Sequence, residues 1–315
     1  MKRNRNPAIL AAVAVFSIAL LSGCRELPGK EAADKQLEQR LNGNFQKETS
    51  EEVKQGLDEV TSGIKQTVQN TSVKMTEDLN GSSLNKVLEI SKKTNYATEL
   101  VLKNNVGEVK VTSGNNDFIT VKATVVPHSG MSLLTKQNII DHAKVTVQAD
   151  GNKLKVFTHS KNAPAEDLWT WAQKEYGSSD FSISYNIQVP SDIDEYQISN
   201  NVGSIQLQNL KGTFHISSNV GSIVLDNAQL SGSSTVVSNT GSIDMHINAL
   251  NSSSTLKASS EIGTITANLN SRLKCTVTTK SELGQITGNE SGKTDFNGGG
   301  PLISLYTQIG SITVQ

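Results

Sequence analysis

The chain has 315 residues, a formal net charge of −1 from 29 basic and 30 acidic residues, and only 4% aromatics. Balanced charge without a basic stripe argues against a nucleic-acid binder. Scarce aromatics suit a narrow core filled by Ile, Val and Leu.

In chain order, Lys2, Arg3 and Arg5 form a positive n-region ahead of Ala8–Leu21, which is apolar except for Ser17. That stretch is too short to span a bilayer comfortably and reads as a secretory signal. It ends in Leu21-Ser22-Gly23-Cys24, which resembles the bacterial lipobox. The resemblance implies cleavage after residue 23, lipidation of Cys24 and a membrane partnership through the acyl chains. The alternative is an ordinary signal peptide with an incidental cysteine. With Cys24 lipidated, Cys275 has no partner for an intramolecular disulfide and reads as a small apolar core residue.

Residues 24–96 are rich in charge and are expected to form a partly helical stalk. Thr49-Ser50-Glu51-Glu52 is a capping-box pattern, followed by Val53, Leu57, Val60 and Ile64 on one helix face. A helix that meets a partner or the lipid surface is the alternative.

Residues 97–315 read as a β domain. Asn104-Asn105-Val106-Gly107-Glu108-Val109 is the first variant of a phrase that returns later, and Phe118 to Val126 reads as a strand. Residues 127–182 interrupt the pattern with an expected helix over Leu133–His142, a hairpin turning at Asp150-Gly151-Asn152, and both tryptophans. Trp169, Trp171 and Tyr176 could stack on a cell-wall or host glycan; the competing reading is a cap on the end of the stack.

From residue 201 one phrase recurs six times: a polar residue, a residue that is usually apolar, Gly, a polar residue, then Ile. Its glycines are Gly203, Gly221, Gly241, Gly263, Gly284 and Gly310, and its isoleucines are Ile205, Ile223, Ile243, Ile265, Ile286 and Ile312. Successive glycines are 18, 20, 22, 21 and 26 residues apart. Such a period, rich in β-branched residues, predicts a single-domain right-handed parallel β-helix, or β-solenoid, with coils of roughly 20 residues. The rivals are an antiparallel sandwich or a small propeller. Stacking would place the six isoleucines in one interior row and Asn201, Asn219 and Asn239 in a corner row of amides. The chain stops within an expected strand, so its C-terminal edge invites self-association, unless the 290–301 loop covers it.

The run from Tyr185 through Val189-Pro190 to Asn201-Val202-Gly203-Ser204-Ile205, with the later Gly-Ser-Ile copies, resembles the bacterial "putative adhesin" family of unknown function. The resemblance implies a β-helical domain at the cell surface and carries over no catalytic residue. Glu261 and Glu282 depart from the corner Asn.

His128, His142, His159, His215 and His246 show no metal-ligand spacing and are expected on the surface. Asp226, Asp244, Glu261 and Glu282 look scattered rather than paired as a hydrolase needs. No cofactor or metal is implied. The leading expectation is a non-catalytic, lipid-anchored surface protein, adhesin-like or scaffold-like, facing away from the cytoplasm. The others are an accessory of envelope-stress signalling that contacts a membrane protein, and a polysaccharide-binding or polysaccharide-acting protein.

Overall fold

The structure is a computed structural model, and it describes residues 84–114, 117–289 and 291–315. The expected signal peptide, Cys24 and most of the expected stalk lie outside the described residues. The described residues are mainly β, with 21 strands in one extended sheet and two helices.

Strand structure begins earlier than expected. β1 (Lys86–Lys93) lies inside the segment assigned to the stalk and pairs antiparallel with β4 (Phe118–Pro127). Its period is two: Leu88 and Ile90 pack on the core while Glu89 and Ser91 face out. β2 (Glu99–Val106) and β3 (Val109–Ser113) carry the first variant of the phrase, joined through Gly107.

The 127–182 segment contains the expected helix, α1 (Leu133–His142), with the Ser132 hydroxyl accepting from the Thr135 N–H at its start. β5 (Ala143–Asp150) and β6 (Lys153–Ser160) form the expected hairpin, with Gly151 at φ 60°. β7 (Ala163–Asp167) then leads into a helix not anticipated from sequence, α2 (Leu168–Tyr176). Its stop signals are in the sequence nonetheless: Asp167 caps the first turn, and Gly177, at φ 67°, ends the last. β8 (Phe181–Val189) returns to the sheet, antiparallel to β4 and parallel to β3.

Two parallel series then follow. The first runs β3, β10 (Ile205–Gln208), β12 (Ile223–Leu230), β14 (Ile243–Leu250), β16 (Ile265–Leu269), β21 (Ile312–Val314) and β18 (Ile286–Thr287). The second runs β6, β2, β9 (Glu195–Val202), β11 (Lys211–Val220), β13 (Ser233–Thr240), β15 (Thr255–Ile262), β20 (Leu302–Ile309) and β17 (Cys275–Leu283). Register is set by the phrase itself. Val109, Ile205, Ile223, Ile243, Ile265, Ile312 and Ile286 share one row, fully buried except for Ile286 at the edge. Each fully buried isoleucine contributes roughly 1.5–3 kcal/mol of burial energy. The second series adds Tyr196 stacked on Phe214, ring centroids 5.1 Å apart, beside an inward row of Ile198, Ile216, Val236 and Ala258.

The spatial order differs from the chain order at one point. The C-terminal strands β20 and β21 enter between the fourth and fifth copies of the phrase, so β20 pairs with β15 on one side and β17 on the other. The C-terminus is therefore not a bare edge, and the premise for self-association through it is corrected. Residues expected to be a plain loop form β19 (Lys293–Phe296), which pairs antiparallel with β17 and covers the outer side of that strand.

Candidate functional site

The tryptophans do not form a surface platform. Trp169 and Trp171 are each only 7% exposed, and α2 turns both inward. Trp169 lies flat against Phe181, centroids 5.3 Å apart, and its indole N–H donates to the Phe181 carbonyl at 3.2 Å. Trp171 meets Tyr176 edge-on and His142 at a tilt. Only Tyr176 stays half-exposed, with burial and then Glu175 raising its phenol above the ordinary value. Two buried indoles cannot stack on a sugar, so the glycan-contact expectation is corrected to a core role for Trp169 and Trp171, and Tyr176 alone of the three keeps surface. Cys275 is a fully buried free thiol, as expected, and burial pushes its pKa up.

The repeated glycines are held more tightly than a turn requires. A Cβ on Gly221 would lie 2.0 Å from the Gly203 carbonyl oxygen, and one on Gly241 1.9 Å from that of Gly221. The backbones of successive copies touch here, so the phrase needs the missing side chain as well as the positive φ. Three residues before each glycine lies an inward polar side chain that the sequence reading passed over. Asn104, Asn200, Ser218, Ser238, Ser260 and Thr307 are all buried. Asn200 donates to the Gly107 carbonyl at 2.9 Å, and Asn104 donates to Asn200 at 3.1 Å. The signal was present in the sequence, since these residues continue the inward period of the apolar positions ahead of them.

The corner amides are outside, and they form a chain. Asn201 donates to Asn105 at 3.0 Å, Asn219 to Asn201 at 3.1 Å, and Asn239 to Asn219 at 3.4 Å. Each bond uses one of two amide N–H groups and one carbonyl lone pair, so every asparagine keeps further hydrogen-bonding capacity. The row extends over four layers, about 14 Å at the strand spacing. It then continues as Glu261, Gln308 and Glu282, all exposed. Glu282 accepts from the Tyr306 hydroxyl at 2.7 Å, which lowers the carboxyl below its usual range; Lys280 lowers it further.

The acidic residues are less scattered than they look in sequence. Asp226 and Asp244 flank His246, with Nδ1 3.1 Å from one carboxylate and Nε2 3.7 Å from the other. Each ring nitrogen faces a different carboxylate, so the three do not converge on one ion. Asp226, His246, Asn248, Asn268 and Asn270 border an open notch of about 270 Å³.

His159 breaks the expectation of surface histidines, being only 4% exposed. Its Nδ1 lies 2.8 Å from the Ser160 carbonyl and so carries the donating proton; Nε2 lies 2.8 Å from the Thr146 hydroxyl. In the neutral ring Nε2 accepts from Thr146. This pair lines a larger open cleft of about 460 Å³ on the β5–β6 ribbon. At the same end of the fold, Lys92 donates to the Val147 carbonyl and Lys86 to that of Ile140, tying β1 to the α1–β5 segment. Burial, then nearby Lys161, lowers the Lys86 ammonium below the usual lysine value.

No protein-family model matches the chain, and no curated protein matches its sequence. Solved structures do align with it. A "putative cell adhesion protein" from Clostridium sporogenes aligns over 73% of this chain and 99% of its own, at 10% identity and TM-score 0.45. A "putative adhesin" from Bacteroides fragilis aligns over 73% and 97%, at 15% identity and TM-score 0.37. A "putative lipid binding protein" from Parabacteroides distasonis aligns over 75% and 98%, at 12% identity and TM-score 0.30. Among the described residues, no helix is long and apolar enough to cross a membrane.

Proposed function

We propose that this is a non-catalytic, lipid-anchored surface protein whose repeats stack as a β-solenoid and hold a row of amides toward a polar polymer of the cell envelope. The observation that carries the reading is the Asn105–Asn201–Asn219–Asn239 chain, exposed from Asn201 onward. Its donors and acceptors recur at one strand spacing, a pattern suited to a ligand that itself repeats hydroxyl groups. The amides are held by one another, so little side-chain entropy is lost on binding. The stacking supports the solenoid reading, because successive copies pair in parallel and in register along both series. Cys24 would supply the anchor that keeps this face outside the cytoplasm.

The test is co-sedimentation of the full-length protein with isolated cell wall and with defined glycans, with product analysis of the polysaccharide. Saturable retention with no shortening of the polymer is expected. Release of fragments, or no retention by any wall or glycan, would overturn the reading.

A further inference from the structure

The cleft on the β5–β6 ribbon is chemically unlike the repeat faces. Nine residues line it, and they include two lysines, an imidazole, a hydroxyl and a primary amide, with no carboxylate. Lys144, Thr146, Phe157 and His159 share one face of the ribbon, and Lys144 stands directly across from His159. Lys144 is exposed and forms no ion pair among the described residues. Lys92 reaches the cleft from β1, with its ammonium 2.8 Å from the Val147 carbonyl.

Three carboxylates on the neighbouring elements have partners of their own. Asp150 pairs with Lys155 and Glu166 with Lys174, and Asp167 accepts from the Thr170 N–H and hydroxyl. Among the residues that line the cleft, Lys92 and Lys144 carry positive charge and no carboxylate does; Asp167, across from His159, keeps its charge at the start of α2. Its volume exceeds what a bare oxyanion fills and lies in the range of small-ligand sites. Half-buried Phe157 and exposed Pro164 supply an apolar wall beside the charge.

We infer that this cleft binds a phosphate carried on a sugar or polyol. The two ammonium groups come from different strands and act as point charges, which suits the divergent oxygens of phosphate better than a planar carboxylate. The carbon skeleton then lies against Phe157 and Pro164. The inference does not depend on what the amide row binds, because no residue is shared between them. The same chemistry is offered by a free sugar phosphate and by a phospholipid headgroup.

Isothermal titration of the full-length protein separates these sources, using inorganic phosphate, glycerol 1-phosphate and a short-chain phosphatidylglycerol kept below its micelle concentration. Glycerol 1-phosphate is expected to bind more tightly than inorganic phosphate. Lys144→Glu should weaken it at least tenfold without lowering the melting temperature, since the side chain is exposed. Phe157→Leu should weaken glycerol 1-phosphate while leaving inorganic phosphate unchanged. Tighter binding of the phosphatidylglycerol, equally sensitive to Lys144→Glu, would support the site and assign it to a headgroup; weaker binding would support the site and assign it to a free phosphate. Binding of none of the three at millimolar concentration, or equal affinity in Lys144→Glu, would overturn the inference.

Discussion

Glycine and asparagine carry the structural meaning of the repeated phrase. At Gly221 the backbone sits at φ 146°, and an added Cβ would press on a neighbouring carbonyl. Gly221→Ala should therefore cost more than about 3 kcal/mol in a denaturant titration, combining backbone strain with a contact that cannot relax. Gly151→Ala is the control: its φ is 60° and nothing lies within 4 Å of the added atom. It should cost about 1 kcal/mol. Equal costs at the two sites would mean that the copies do not touch through their glycines. The turn role of these glycines was legible in the sequence. The close approach was not, because it lies between layers and no single copy reveals it. The buried Asn200 and Ser218 were hidden for another reason: inward positions were recognised by apolarity, and these continue the period with polar atoms.

At the scale of elements, the repeats and most strands were legible, as were α1 and the β5–β6 hairpin. The order of stacking was not. Copies that share one phrase and one register can each stack on any other, so similarity cannot say which neighbours meet. Charge supplies one reason for the observed order. Gln308 lies between Glu261 and Glu282, which chain-order stacking would place directly opposite each other. Like charges across neighbouring strands are unfavourable by roughly 0.2–1 kcal/mol. The order predicts a cross-link. Thr266 lies opposite Thr313, and Thr287 lies one strand further on. A Thr266→Cys/Thr313→Cys pair should oxidise to a disulfide, whereas Thr266→Cys/Thr287→Cys should not, being separated by two strand spacings, about 9.6 Å. Mass spectrometry of the non-reduced digest reads the outcome. A 266–287 bridge in place of 266–313 would restore the chain order.

At the scale of the whole molecule, the repeats give a regular, in-register support, and binding chemistry is proposed at two different places on it. One is the amide row along the copies. The other is the cationic cleft in the segment that interrupts them. The segment ahead of residue 84, with the expected lipid anchor at Cys24, would fix the support to the membrane. Sequence offered two readings of the aromatic segment, a ligand surface or a cap on the end of the stack, because Trp and Tyr cluster there. The fold uses those rings to seal its interior, and the proposed ligand surface is instead the row of polar side chains aligned from separate copies. The central claim is that this aligned row makes the contact with the envelope. Its most direct test compares the full-length protein with the Asn201→Ala/Asn219→Ala/Asn239→Ala variant in equilibrium binding to isolated cell wall, with melting temperature as the check on folding. The account predicts at least a tenfold loss of affinity in the variant at a nearly unchanged melting temperature. Equal affinity in the two proteins would contradict it.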